Sequence, residues 1–389
     1  PIKTLAASVE LGSKPIRKRS KKRQSIDLPF LILTILLLSI GLITLFSASY
    51  VDAINSTQSG DGAFYFKRQG MFALAGIVCM LAVAFCLDYR KLHYLAIPSM
   101  VVSVLLLVAV IFVGVEHNDA QRWLKIGVEF QPSEIAKFSV ILCFASMITV
   151  WGPKKMRTFR YGILPFVSII VLIAALLYFE PHLSATVIIG ATGMVMVFLG
   201  GANLAWLISM AACGVGGVVG LIFLLPHAMT RVKVWLDPFS DFRGKGWQGA
   251  QSLMAVGSGG VWGLGLGQGR QKHLFLPEPA NDFIFAVICE ELGMVGAILI
   301  MIVFAALILR GYQIALRAPD RFGSLLVAGI TTQIAIQTIF NMGVVTGLLP
   351  VTGAALPFFS YGGTSLMMLL AEVGVILSVS RRIPAPEQG

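Results

Sequence analysis

LPEPANDFIFAVICEE, residues 276–291, passes from a polar, proline-marked segment to an uninterrupted apolar run within one residue, and Asp282 sits at the junction. A long glycine-rich stretch suited to water precedes it. From Phe283 onward the chain is apolar enough to enter lipid. A carboxylate at such a point is either a helix N-cap, favoured by unpaired amides and the positive end of the helix dipole, or a catalytic group at the bilayer edge. Both readings stand on these residues alone.

Hydrophobic residues make up 57% of the 389 and charged residues only 13%. That charge fraction is about half the share in ordinary soluble domains, and mean hydropathy reaches +0.83. The composition predicts an all-α integral membrane protein, because lipid offers the backbone no hydrogen bonds and a spanning helix needs roughly 20 apolar residues. Apolar runs at about 28–50, 70–87, 93–115, 134–151, 162–179, 183–200, 203–226, 283–309, 323–347 and 356–379 predict about ten transmembrane helices. The expected plan is a basic disordered cytoplasmic tail over 1–25, a ten-span domain over 26–383 and a short cytoplasmic C-terminal tail over 384–389. The first run is too long for a signal peptide and lacks a small-residue cleavage pattern, so it is expected to remain as a span.

The net charge of +11 comes from Lys and Arg scattered in short segments between apolar runs, not gathered on one amphipathic face. It reads as topology and predicts no nucleic-acid partner. The basic tail is expected to be drawn to anionic membrane lipids. With both termini inside, 19 of the 30 Lys and Arg fall in inner segments, and six others lie in one long loop that the positive-inside rule discounts. This parity places 51–69, 116–133 and the long segment 227–282 outside, where the chemistry is expected. Cys79, Cys86, Cys143, Cys213 and Cys289 all fall in apolar runs without CxxC spacing or a neighbouring His, so they are read as packing residues and no metal site is expected.

Within the outer segments, Pro132-Ser133-Glu134 predicts a helix start with Ser133 as N-cap, and Lys137 one turn after Glu134. Neither charge tolerates lipid alone, so the two are expected to pair toward the bundle interior, as a structural ion pair or as part of a pocket lining. Glu180-Pro181-His182 follows, and a lone interfacial His is more often simply hydrogen-bonded and neutral. Arg231, Lys233, Arg243 and Lys245 alternate with Trp235, Phe239, Phe242 and Trp247, which suits either an interfacial belt or a pocket for an anionic, amphiphilic headgroup. GSGGVWGLGLGQGR (257–270) cannot form a stable helix and predicts a close-packed irregular segment whose amides approach a ligand or the bilayer surface. Between 341 and 366, Pro350, Gly353, Pro357, Gly362 and Gly363 interrupt two spans, so this backbone is expected to line a cavity. Glu290, Glu291 and Glu372 inside apolar runs are functional candidates, with helix-to-helix hydrogen bonding as the alternative.

Four stretches together carry a family resemblance: QRWLKIGVEFQPSEIAKF (121–138), WLDPFSDFRGKGWQGAQSL (235–253), LPEPANDFIFAVICEELG (276–293) and NMGVVTGLLPVTGAALPFFSYGGTSL (341–366). The chain after its basic tail resembles the bacterial SEDS proteins of shape, elongation, division and sporulation, most of all the division branch and its sporulation relatives. The resemblance implies a ten-span peptidoglycan glycosyltransferase that polymerises lipid II outside the bacterial cytoplasmic membrane, during septal wall synthesis, and releases undecaprenyl diphosphate. Its implied partners are a class B penicillin-binding protein and other divisome proteins. Asp282 matches the family's catalytic aspartate, and Glu134 and Lys137 match the Glu and Lys of its QPSE segment. Glu180 to Ser184 departs from the PDLG-type sequence of many members, so no role passes to His182; Trp247 stands where a tyrosine is common. On this reading Asp282 is the general base, and Arg243, Lys245, Arg270 and Lys272, nearest by sequence, bind the diphosphate. A divalent cation, magnesium or manganese, on the diphosphate oxygens would serve the same end, and no organic cofactor is expected. The competing classes are a flippase of lipid-linked precursors, whose ionisable residues should lie near the midplane, and a non-catalytic scaffold for a penicillin-binding protein.

Overall fold

The computed structural model describes residues 25–56, 60–117, 120–180, 182–224, 226–242, 244–273 and 275–384. Most of the expected basic tail, the end of the C-terminal tail, Pro181 and Arg243 lie outside the described residues.

Each predicted apolar run carries a helix: α1 Leu28–Ser56, α2 Phe64–Cys86, α3 Leu92–Val113, α4 Pro132–Met156, then a short α5 Phe159–Gly162, α6 Leu164–Phe179, α7 Leu183–Leu199 and α8 Leu204–Leu224. After the long connection come α11 Ile284–Arg317, α12 Arg321–Val345 and α13 Gly363–Ser380. Among the described residues, eight helices are long and apolar enough to cross a membrane. The chain is therefore a mostly helical, multi-pass membrane protein, as expected, with one small sheet besides. Burial follows the arrangement: α12 is enclosed on nearly all sides against α4, α7, α11 and α13, whereas α3 turns Tyr94, Leu105 and Phe112 outward. Exposed apolar side chains of that kind suit lipid, not water.

Local chemistry ties the helix ends on the side expected to be cytoplasmic. The Asp27 carboxylate accepts the Phe30 N–H at 3.0 Å and a two-pronged pair of bonds from Arg310 of α11, at 2.9 and 2.8 Å. Asp320 caps α12 through the Gly323 N–H and also accepts from Tyr89 and Arg90.

The connections expected to lie outside hold more structure than the sequence reading gave them. An antiparallel sheet is formed by β1 Val115–His117, β2 Ala120–Ile126 and β3 Val128–Phe130, in that order, with Trp123 opposite Val115 and Leu124 opposite Phe130. The long connection contains α9 Pro226–Leu236, a 3-10 turn at Pro238–Asp241 and α10 Trp247–Ser258.

Three helix boundaries correct the expectations. The cap position of α4 is Gln131 with Pro132 first in the helix, so Ser133 is not the N-cap, and among the described residues its buried hydroxyl has no hydrogen-bond partner. The cap position of α11 is Phe283 without a side-chain bond, so Asp282 does not act as a cap. The last apolar run is helical only from Gly363, because residues 351–362 fold inward as irregular chain.

α11 is also broken at Gly293, whose φ is +66°. The glycine-rich segment fills the break: Leu264 and Gly265 N–H groups donate to the Glu290 and Glu291 carbonyls at 3.0 and 2.9 Å, and the Met294 and Val295 N–H groups donate to Gly260 and Val261 at 2.9 and 3.1 Å. A Cβ on Gly293 would lie 2.2 Å from the Gly263 nitrogen, and one on Gly263 would lie 2.2 Å from the Glu291 carbonyl oxygen. Only glycine permits the two backbones to meet at that distance.

Candidate active site

Residues 278–282 are held in place by the irregular segment 353–361. The Tyr361 N–H donates to the Ala280 carbonyl at 2.8 Å, and Ser360 Oγ donates to the Asn281 carbonyl at 2.6 Å. Asn341 Nδ2, from the buried end of α12, bridges the carbonyls of Asp282 and Ala354 at 2.8 and 2.6 Å. Glu278 adopts φ +51° and accepts the Asn281 side-chain amide. A left-handed backbone at a glutamate costs energy and persists only where surrounding structure enforces it.

Asp282 projects from this clamp into a cavity of about 530 Å³. Gly353, at φ +72°, brings its backbone against the carboxylate: a Cβ there would lie 3.1 Å from Asp282 Oδ2. Burial, then the nearby Glu278, push the Asp282 carboxyl up to about 6 against the opposing charge of Arg122. A carboxylate so placed is largely ionised at neutral pH and more basic than an ordinary aspartate, which suits proton acceptance.

Glu134 and Lys137 line the same cavity and form an ion pair at 2.8 Å, with the lysine side chain 4% exposed. Lys137 donates a second bond to Gln337 Oε1 at 3.3 Å, and Gln337 is anchored to the Ala355 carbonyl at 3.0 Å. Further along the spanning helices, Glu372 of α13 accepts from Gln333 of α12 at 3.0 Å and also lines the cavity. The pair foreseen from spacing is thus built into the wall around Asp282.

The cations assigned from charge and side alone are elsewhere. Lys272 is buried, and its Nζ donates to Glu291 Oε1 at 2.6 Å and to Ser47 Oγ of α1 at 2.8 Å, so its charge is consumed by an internal network away from the cavity. Lys245 and Arg270 are exposed and absent from the cavity wall, and Arg243 lies outside the described residues. The guanidinium groups that do line the cavity are Arg68 of α2 and Arg122 of β2, with His182 beside them. Arg122 belongs to the QRWLKIG stretch, but only the sheet shows where its side chain goes. Burial, then Arg122 and Lys137, hold the His182 imidazole down at about 3, so it is neutral.

Glu290 and Glu291 serve the glycine-rich segment. Glu290 Oε1 accepts the Arg270 and Gln271 N–H groups at 2.9 and 3.2 Å, and Glu291 Oε1 accepts Gly269 N–H at 3.4 Å besides Lys272. Among the described residues, no group of three or more His, Cys, Asp or Glu is gathered closely enough to hold a metal ion.

Residues 28–383 match the cell cycle protein family of FtsW, RodA and SpoVE. The chain is 42% identical to stage V sporulation protein E of Bacillus subtilis, covering 92% of this chain and 98% of that protein. It is 37% identical to the probable peptidoglycan glycosyltransferase FtsW of Geobacter metallireducens, covering 93% and 96%. Among solved structures it is similar to a chain of a peptidoglycan synthase complex that coordinates polymerization and crosslinking, with TM-score 0.75, 28% identity and coverage of 92% and 98%. The rod shape determining protein RodA of Thermus thermophilus is similar at TM-score 0.67, with 26% identity and coverage of 92% and 98%.

Proposed function

The chain belongs to the FtsW, RodA and SpoVE cell cycle protein family, and from that footing we propose that it is a peptidoglycan glycosyltransferase whose reaction takes place in the cavity around Asp282. The substrate is lipid II. The observation that carries the reading is the convergence in one cavity of a partly buried carboxylate, the Glu134–Lys137 pair and the Arg68 and Arg122 guanidinium groups.

The chemistry follows from that lining. A sugar hydroxyl is a weak nucleophile at neutral pH, so as its oxygen bonds to the anomeric carbon of the donor, its proton passes to an Asp282 oxygen. The bond from that carbon to the diphosphate oxygen breaks, and undecaprenyl diphosphate leaves with the electron pair. Arg122 and Arg68 meet the departing negative charge. Lys137, held by Glu134 and Gln337, presents a fixed donor to the sugar or phosphate. A divalent cation would enter on the diphosphate oxygens, since such ions need only one or two carboxylates when phosphate supplies the rest.

We place this cavity on the outer face of the bacterial cytoplasmic membrane, at the septum, with a class B penicillin-binding protein as partner and other divisome proteins around it. The basic-residue distribution supports the side, and the likeness to a complex that couples polymerization to crosslinking supports the partner.

One observation favours transport of lipid-linked precursors instead. Glu372 lies about 14 Å along α13 from its start, counting 1.5 Å per residue, and lines the cavity at a depth where transporters keep ionisable groups. Polymerisation of labelled lipid II by the purified chain with its penicillin-binding protein in detergent separates the readings. Glycan strands formed without a bilayer are expected of the polymerase; none are expected of a flippase or a scaffold.

A further inference from the structure

Glu180, at the C-terminal end of α6, carries a carboxyl that the described residues leave unsatisfied. The residue is 1% exposed, and among the described residues neither Oε1 nor Oε2 has a hydrogen-bond partner. The residue meets Arg122 through its backbone, where the Arg122 Nε–H donates to the Glu180 carbonyl at 3.3 Å. An ionised carboxylate without hydrogen bonds in such a place is strongly disfavoured, so burial pushes Glu180 up to about 8, against the attraction of Arg122. At neutral pH it holds its proton.

Arg122 joins this residue to the reaction cavity, since it bonds the Glu180 backbone and lines the cavity. Its side chain lines the cavity with Asp282 and His182, and its charge acts on Asp282, His182 and Glu180 alike. Among the described residues, Arg122 is the charge that acts on Glu180. His182, two residues on at the start of α7, is neutral, and Lys137 of α4 is paired with Glu134.

We propose that Glu180 is a positioning residue that acts through Arg122: as a neutral carboxyl it leaves the guanidinium to the cavity, and once ionised it draws the guanidinium toward α6. The proton released goes to solvent, and an Arg122 N–H then donates to a Glu180 oxygen in place of its contact with substrate. The inference rests on the polymerase reading, in which Arg122 meets the diphosphate. Its signature is a loss of affinity for the lipid-linked diphosphate at alkaline pH, expressed in KM before kcat.

The test is the rate of lipid II polymerisation against substrate concentration from pH 6 to 9.5, using the full chain with its penicillin-binding protein. The wild-type KM is expected to rise at least about threefold across pH 7.5–9, the interval in which a carboxyl with this shift ionises. Glu180→Gln, which keeps the neutral shape, should match wild type at pH 6.5 and hold its KM flat at alkaline pH, with an unchanged melting temperature. Arg122→Gln should show a raised KM with no alkaline rise. A wild-type KM that stays flat, a Glu180→Gln variant that keeps the alkaline rise, or one that is impaired equally at every pH overturns the proposal. Absence of polymerisation by wild type at any pH would instead defeat the polymerase reading beneath it.

Discussion

Asp282 titrates where it matters for a base. Because its folded pKa is raised, it is protonated and unable to accept a proton below about 6, so kcat/KM should climb as pH rises through that value and level off above it. Burial is the larger cause and Glu278 the smaller, so Glu278→Gln should move the acid limb to lower pH without bringing it down to that of an exposed aspartate. A limb unmoved in that variant would mean that Glu278 does not act on Asp282. The Glu134–Lys137 pair makes a separate prediction. Removing either partner strands a charge and should cost about 3 kcal/mol, the low end for buried pairs because Glu134 keeps some exposure, while a neutral double replacement should cost less than the sum. Melting temperatures of the four proteins in detergent check it, and simple additivity would show that the pair is not coupled. Glu134 and Lys137 were legible beforehand as a pair because they stand three positions apart on one helix, and Asp282 as a candidate because it stands where a polar segment becomes an apolar run. Lys272 was misread for the opposite reason. Sequence gives its charge and an expected side of the membrane, but its capture by Glu291 and Ser47 depends on α1 and α11 packing together.

The broken helix α11 and the glycine-rich segment form one unit, since each supplies the hydrogen bonds the other lacks at Gly293 and Gly263. Gly263→Ala or Gly293→Ala must part the two backbones at a position that also disfavours any side chain, and each should lower the melting temperature well beyond Gly257→Ala, where nothing lies within 4 Å of an added Cβ. Equal melting temperatures for the three variants would contradict the pairing. Alternating glycine announced an irregular segment but not its partner: amides expected to approach a ligand or the bilayer surface bond the protein's own broken helix and the carboxylates of Glu290 and Glu291. The strands β1 to β3 were unread because two of them have three residues each and their pairing with β2 is what stabilises them. Arg122 was missed with them.

At the scale of the whole molecule, helices could be read run by run because lipid imposes one length and one composition on each. The cavity could not, since it exists only where residues 278–282, the irregular chain at 353–361 and the strand carrying Arg122 converge from distant parts of the sequence. The proposed orientation predicts that a single cysteine at Ser240, in a cysteine-free background, reacts with an impermeant thiol reagent in intact spheroplasts, and that one at Thr158 reacts only after lysis. The reverse pattern would put the cavity on the cytoplasmic side. The most direct test of the whole account is lipid II polymerisation by Asp282→Asn beside wild type. The substitution keeps the side chain's size, and no cap is lost, because Asp282 does not cap α11. The account predicts an unchanged melting temperature and a rate lower by at least about 100-fold, the lower end of what a general base contributes. Near-normal glycan synthesis by that variant would contradict it.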